Sequence, residues 1–222
     1  MSIDKSSKTI QELFNKISSK YDFINNFISL NLHTKIKKDC IKKLNIKPNS
    51  KILDLCCGTG DLAKFIKEIQ PNCQIIGVDF SSKMLEIAKN KTKDIEFINM
   101  DVQNMSFEDN SFDYVVSSFG LRNVEHIEKA IYEIHRVLKP NGLFLHLDFG
   151  NKNILSKFFN FFVLILSNIL FKYKNEYIYL IKSKNNFYEP KELIKIFENN
   201  KLKFKKRKDY IFKTISSQIM EK

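Results

Sequence analysis

Lys51-Ile52-Leu53-Asp54-Leu55-Cys56-Cys57-Gly58-Thr59-Gly60-Asp61-Leu62-Ala63 decides the fold. Its first six residues read as a short apolar strand, its glycines permit a tight turn, and Asp61 opens a helical pattern that runs to Ile69. Working outward, residues 74–79 form a second strand candidate, and Ser81 is placed to cap a helix over 82–90. Residues 95–99 are a third strand. Residues 112–117 are a fourth, with the continuous apolar core of a strand buried on both faces. A helix over 127–138 is expected to stop at Pro140 and the Asn141-Gly142 turn, ahead of a fifth strand at 143–147. Strands alternating with helices predict an α/β fold, a Rossmann-like, doubly wound, mostly parallel sheet.

The chain has 222 residues, enough for one well-filled domain and short for two cores. Within one domain the expected parts are a helical N-terminal cap (1–46), a ligand-binding core (47–150), an apolar insertion (151–189), and a C-terminal helix with two strands (190–222). Ile10, Leu13, Phe14, Ile17 and Tyr21 fit a helical period in the cap. Residues 154–171 are nearly continuously apolar but are broken by Lys157, Asn160, Ser167 and Asn168. A transmembrane helix needs about 20 uninterrupted apolar residues. A helix at a membrane surface and a cap helix packed on the domain both remain open here.

Hydrophobic residues make up 43% of the chain and charged residues 28%, which excludes a disordered chain. Cys40, Cys56, Cys57 and Cys73 show no CxxC spacing, so neither a disulfide framework nor a zinc site is expected, and a reducing compartment fits. The N-terminus is polar and carries Asp4, with no apolar stretch of a secretory signal, which points to the cytoplasmic side. A net charge of +12 favours an anionic surface, nucleic acid or lipid headgroups, although lysines on solvated faces account for it as well. The basic stretch 201–208 can be read as a lipid contact or as an exposed edge strand.

Gly58 and Gly60 let a ligand approach the backbone, and Asp79 ends the second strand about 20 residues further on, where a carboxylate can hold ribose hydroxyls. Gly58, Gly60 and Ala63 also satisfy a dinucleotide fingerprint, so a nicotinamide enzyme is a rival. Charge separates the two. A pyrophosphate prefers a helix N-terminus free of acids, and here Asp54 and Asp61 flank the turn. Two carboxylates suit a ligand with an ammonium and a sulfonium, which is S-adenosylmethionine. Asp101, after the third strand, would then meet the adenine amine, with the Val102 N–H on a ring nitrogen; alone, Asp101 could be a turn residue.

After the fourth strand comes Ser117-Ser118-Phe119-Gly120-Leu121-Arg122-Asn123. The Asn/Asp-Pro-Pro-aromatic element of methyltransferases acting on base amines is absent, and no cysteine follows the fourth or fifth strand to attack a pyrimidine. Nucleic acid is therefore not the expected partner despite the charge. These residues resemble the ubiquinone/menaquinone biosynthesis C-methyltransferases. The resemblance is carried by Asp54, Leu55, Gly58, Thr59, Gly60, Asp61 and Leu62, by Phe119-Gly120-Leu121-Arg122-Asn123, and by Arg136-Val137-Leu138-Lys139-Pro140-Asn141-Gly142. Lys20-Tyr21-Asp22, Asn25 and His33 match before them, and Tyr177, Tyr179, Leu180, Ser183 and Phe187 after them. Thr34, Lys35 and Ile36, and the C-terminal residues 216–222, depart from the family pattern.

The resemblance implies a class I S-adenosylmethionine methyltransferase acting on a polyprenyl quinol, either demethylmenaquinol or a methoxy-polyprenyl-benzoquinol, at the inner face of a membrane. The apolar insertion could then face the quinol tail. It implies cofactor contacts at Thr59, Asp79, Asp101, Val102 and Ser118, and leaves a homodimer open. An aromatic carbon becomes nucleophilic when a neighbouring phenol loses its proton, so the enzyme must align the ring and stabilise negative charge on oxygen, with no metal required. Arg122 is the candidate for that stabilisation and Asn123 for positioning the quinol. The structural alternative for Arg122 is an ion pair with Glu125 or Asp101. Tyr21 and His33 are weaker candidates, His33 being expected at the surface, and His126, His135 and His146 are expected to be structural. A nicotinamide oxidoreductase, an RNA or protein methyltransferase, and a non-catalytic scaffold are the competing readings.

Overall fold

The computed structural model describes residues 4–169 and 173–222. Residues 1–3 of the polar N-terminus and residues 170 and 171 of the apolar segment lie outside the described residues. The described residues form a seven-stranded sheet: β1 (Lys51–Leu55), β2 (Gln74–Asp79), β3 (Glu96–Asn99), β4 (Phe112–Ser118), β5 (Leu138–Phe149), β6 (Lys203–Tyr210) and β7 (Ile215–Glu221). Its order is β3-β2-β1-β4-β5-β7-β6. The first five are parallel, whereas β7 runs antiparallel to β5 and β6. The direction of chain progress reverses between β1 and β4. At such a switch point the strand ends open a crevice for a ligand.

Helices cover both faces. They are α1 (Ser7–Ser29), α2 (Leu32–Leu44), α3 (Asp61–Ile69), α4 (Ser82–Lys91), α5 (Ile127–Val137), α6 (Ile154–Ile169), α7 (Lys174–Asn186) and α8 (Pro190–Asn199). Alternation along β1 sends Ile52 to the face under α2, α3 and α4, and sends Leu53 and Leu55 to the face under α5 and α8. Phe144 and Phe197 meet edge to face on the second side, with centroids 5.4 Å apart, and both are fully buried. Truncating either to alanine would cost about 3–5 kcal/mol. The Ser81 hydroxyl accepts the Met84 N–H at 3.2 Å, so the expected cap of α4 is in place.

The N-terminal helices are α1 and α2, with Leu30 and Asn31 in the left-handed region between them. Two boundaries differ from the sequence reading. Helix α5 ends at Val137, and β5 begins at once rather than after a turn. Pro140 cannot donate a ladder hydrogen bond, so the strand bulges there, with Phe112 opposite Leu138 and Tyr114 opposite Leu143. The end of β7 closes the gap, the Asn141 N–H donating to the Lys222 carbonyl at 3.2 Å and the Lys222 N–H to the Gly142 carbonyl at 3.1 Å. The basic stretch 201–208 lies largely on β6, an exposed sheet edge.

Candidate active site

Two non-glycine residues with positive φ mark the crevice: Cys56 (φ 53°) after β1 and Phe119 (φ 57°) after β4. Such conformations cost about 1–3 kcal/mol each and persist where the surroundings impose them. Gly120 explains the pairing of these turns. A Cβ there would lie 2.3 Å from the Cβ of Cys56, so only glycine lets the two strand ends approach. Gly60 (φ 78°) is excluded from substitution in the same way, by Phe97 at 2.9 Å and Ala88 at 3.0 Å.

Two cavities meet at these turns and share Tyr21, Cys56, Gly58, Ser118 and Phe119. The smaller, about 100 Å³, is lined by Asp79, Met100, Asp101, Val102 and Asn123 among others. Its central acid is Asp79, whose Oδ2 accepts the Gly58 N–H and whose Oδ1 accepts the Ser81 N–H, each at 2.8 Å. Burial pushes the Asp79 carboxyl above its ordinary range, and these backbone donors oppose the rise. Asp101 accepts the Gln103 N–H at 2.9 Å and holds the Gln103 side-chain amide at 3.0 Å. It is therefore a turn residue that also faces the cavity.

The larger cavity, about 520 Å³, runs from Asp54, Gly58 and Thr59 to the apolar wall of α1, α6 and α7. Asp54 is 1% exposed, and its Oδ2 accepts the Ala63 N–H at 3.1 Å. Burial pushes its carboxyl up to about 7, against the pull of Lys37. A buried acid of this kind gains from a cationic ligand. Asp61 behaves differently from the sequence reading. It pairs with Lys91 at 2.8 Å, so it is not a free acid at the turn; burial opposes its ionisation, but Lys37 and Lys91 hold it below its ordinary range. Thr59 donates to Asp22 Oδ1 at 2.6 Å, and Lys91 closes the same network onto Asp22. Asp22 ties the N-terminal cap to the turn, a link that no local sequence signal announces.

Arg122, 5% exposed in the 3₁₀ turn Leu121–Asn123, pairs neither with Glu125 nor with Asp101. Its Nη1 donates to Asp148 Oδ1 at 3.0 Å and to the Phe119 carbonyl. Asp148, at the end of β5, is fully buried. Arg122 faces the larger cavity, whereas Asn123 lines the smaller one. His33 is not the surface residue expected. It lines the larger cavity beside Ser29 Oγ, 2.5 Å from its Nδ1, and burial followed by Lys37 lowers it to about 4. It is neutral at pH 7. His146 is buried against Gln218 Oε1 at 2.7 Å, a structural placement.

The residues fit S-adenosylmethionine. Backbone turns, the buried Asp54 and the half-buried Asp79 stand at the crevice, and a second cavity joins it where a methyl acceptor could enter. Fold and site together define a class I S-adenosylmethionine-dependent methyltransferase. Comparison with known proteins narrows the class. The chain belongs to the ubiE/COQ5 methyltransferase family, whose profile matches residues 1–221. A demethylmenaquinone methyltransferase of Staphylococcus saprophyticus is 40% identical over 198 residues, covering 85% of each chain. Among solved structures, a chain of the Haloferax volcanii complex between the Trm112 methyltransferase activator and a methyltransferase gives a TM-score of 0.74 at 16% identity, covering 94% of this chain and 96% of that one. A SAM-dependent methyltransferase of Thermotoga maritima gives 0.70 at 17% identity, covering 95% and 99%. Those two likenesses establish the fold alone.

Proposed function

We propose that this enzyme transfers a methyl group to a ring carbon of demethylmenaquinol, and that it works against a membrane surface. The observation that carries the reading is the cavity of about 520 Å³ that joins the cofactor turn to a wall of Ile28, Phe158, Phe159, Phe162 and Val163. An apolar space of this size beside the methyl donor suits a bicyclic ring bearing a prenyl chain. The 40% identical staphylococcal relative, named for that reaction, favours demethylmenaquinol over the benzoquinol.

When bound, S-adenosylmethionine supplies an electrophilic methyl on its sulfonium. Asp79 would hold its ribose and Asp101 with Val102 its adenine. Asp54, Gly58, Thr59, Gly60 and Ser118 would surround its amino-acid end. Arg122 faces the acceptor and stabilises charge on the ring oxygen, and its pair with Asp148 fixes the guanidinium. Asn123 acts from the cofactor side.

The surface reading rests on Ile154, Phe158, Phe161 and Phe162 of α6, which are 51–74% exposed, beside the cavity that Phe158 and Phe162 line. Among the described residues no helix is long and apolar enough to cross a membrane, so contact would be from one side. The test is methyl transfer from labelled S-adenosylmethionine to reduced demethylmenaquinol, with methoxy-polyprenyl-benzoquinol and bulk RNA in parallel. Label in demethylmenaquinol is expected; label in RNA alone would overturn the reading. Flotation with anionic vesicles tests the surface, and protein left at the bottom of the gradient would remove it.

A further inference from the structure

Lys184 is a buried cation that the mechanism above leaves unused. It is 6% exposed, stands on α7 and lines the larger cavity. Its Nζ donates to Asn160 Oδ1 at 2.8 Å and reaches the Ser156 carbonyl at 3.5 Å. It lies 4.7 Å from the ring centroid of Phe149 and 5.4 Å from that of Phe159. Among the described residues no carboxylate forms an ion pair with it. A charge buried without a counter-ion costs several kcal/mol, so an anion arriving in the cavity would be held tightly.

Arg122 borders the same ring, its Cζ 5.2 Å from the Phe149 centroid. The two cations differ in what they can do. Arg122 is engaged by Asp148 and the Phe119 carbonyl, and a guanidinium stays protonated. An amine can give up and take a proton. The charged groups acting on Lys184 are Arg122 from the 3₁₀ turn, which disfavours its proton, and Asp148 from β5, which favours it. From helix α6, Asn160, the Ser156 carbonyl and the Phe159 ring face it. Burial first, then Arg122, lowers the ammonium to about 8.

We infer that Lys184 takes the hydroxyl proton of the acceptor ring and holds the oxyanion that remains, an assignment that rests on the quinol reading above. The O–H bond breaks and an N–H bond forms on Nζ. The ring carbon beside the oxyanion then bonds to the methyl as the methyl–sulfur bond breaks, its electron pair staying on sulfur. The methylated carbon releases its hydrogen as a proton to solvent, the ring regains aromaticity, and the oxygen recovers its proton from Lys184. One proton leaves per turnover and the amine is restored.

The test uses the full chain and its Lys184→Met and Lys184→Arg variants. Turnover of reduced demethylmenaquinol is followed against pH, with S-adenosylmethionine affinity by calorimetry and the ionisation of bound 4-nitro-1-naphthol by absorbance. Wild-type turnover should climb with pH and level off near the lysine's value of about 8. Lys184→Met should lose about 100-fold or more in turnover together with that limb, the range of a lost acid–base group, at unchanged cofactor affinity. Lys184→Arg should stay slow yet still lower the pH at which the naphthol ionises, which Lys184→Met should not. Lys184→Met with wild-type turnover and the same limb would overturn the assignment, as would a loss of cofactor affinity parallel to the loss of turnover. Wild-type enzyme that methylates no quinol would overturn the quinol reading and this assignment with it, and needs no variant to be recognised.

Discussion

The two cavities that meet behind Cys56 and Phe119 are built from opposite materials. The smaller joins strand ends and turns to one face of α1 (Ile10, Phe14 and Tyr21), with its acids held by backbone N–H groups: Gly58 and Ser81 on Asp79, and Gln103 on Asp101. The larger opens from the same turns but is walled by α1, α6 and α7, which pack through Ile24, Ile28, Val163 and Tyr177. Among its charged residues are Asp54 of β1, Arg122 of the 3₁₀ turn, with Asp148 of β5 paired to it, and Lys184 of α7, all buried. On the proposed reading, recognition of the donor rests on strand-end geometry, and recognition of the acceptor on tertiary packing. The two halves should fail in different ways.

The largest effect is expected where the second construction is attacked. Arg122→Ala leaves Asp148 buried without its partner and should cost about 3–5 kcal/mol of stability. Urea unfolding measures it. The double variant Arg122→Met with Asp148→Asn should recover most of that stability while turnover stays low; if turnover returned with stability, Arg122 would be structural only. Next comes Asp79→Ala, which removes the proposed ribose acceptor and two backbone tethers. It should weaken S-adenosylmethionine binding by about 100-fold, near 3 kcal/mol, with a smaller loss of stability. Unchanged affinity by calorimetry would move the cofactor elsewhere.

A smaller effect is set by pH. Asp54 must be ionised to meet the ligand's ammonium, and burial has raised it to about 7. Affinity should therefore hold above that value and fall below it by up to about tenfold per pH unit, with a proton released on binding. Asp54→Asn should be weaker and flat with pH, and a flat wild-type profile would separate Asp54 from the ammonium. The smallest effect belongs to the tie between cap and turn. Asp22→Ala removes the Thr59 bond and the Lys91 pair, whose side chains are 29% and 26% exposed. About 1 kcal/mol at most is expected, a few-fold in cofactor affinity. A loss as large as that of Asp79→Ala would mean that the cap closes the donor half.

The candidate cofactor residues could be picked from the sequence because they are close along the chain and their spacing follows strand, turn and helix. Asp54 lies near the end of β1 and Gly58, Thr59 and Gly60 in the turn that follows, and Asp79, Asp101 and Ser118 stand at or just past the ends of β2, β3 and β4. Strand ends were also where Asp148 could have been sought, since it closes β5 in the same row. The electrostatic reading of Asp61 failed because Lys91, thirty positions away, neutralises it. Arg122 was found by its position, but its partner was not, because β5 lies beside β4 only through sheet pairing.

From sequence alone came the doubly wound sheet, the glycine turn, the strand-end acids and the family resemblance. The first three follow from local periodicity and from backbone conformations that few residue types can adopt, and the resemblance from the motifs around Asp54, Arg122 and Arg136. Tertiary structure alone decided that Asn123 lines the smaller cavity, that His33 is neutral inside the larger one, and that Lys184 shares the Phe149 ring with Arg122. The physical reason is burial. Whether a side chain is a solvated charge, a satisfied pair or a cation awaiting an anion depends on what the fold packs around it, and those neighbours are distant along the chain.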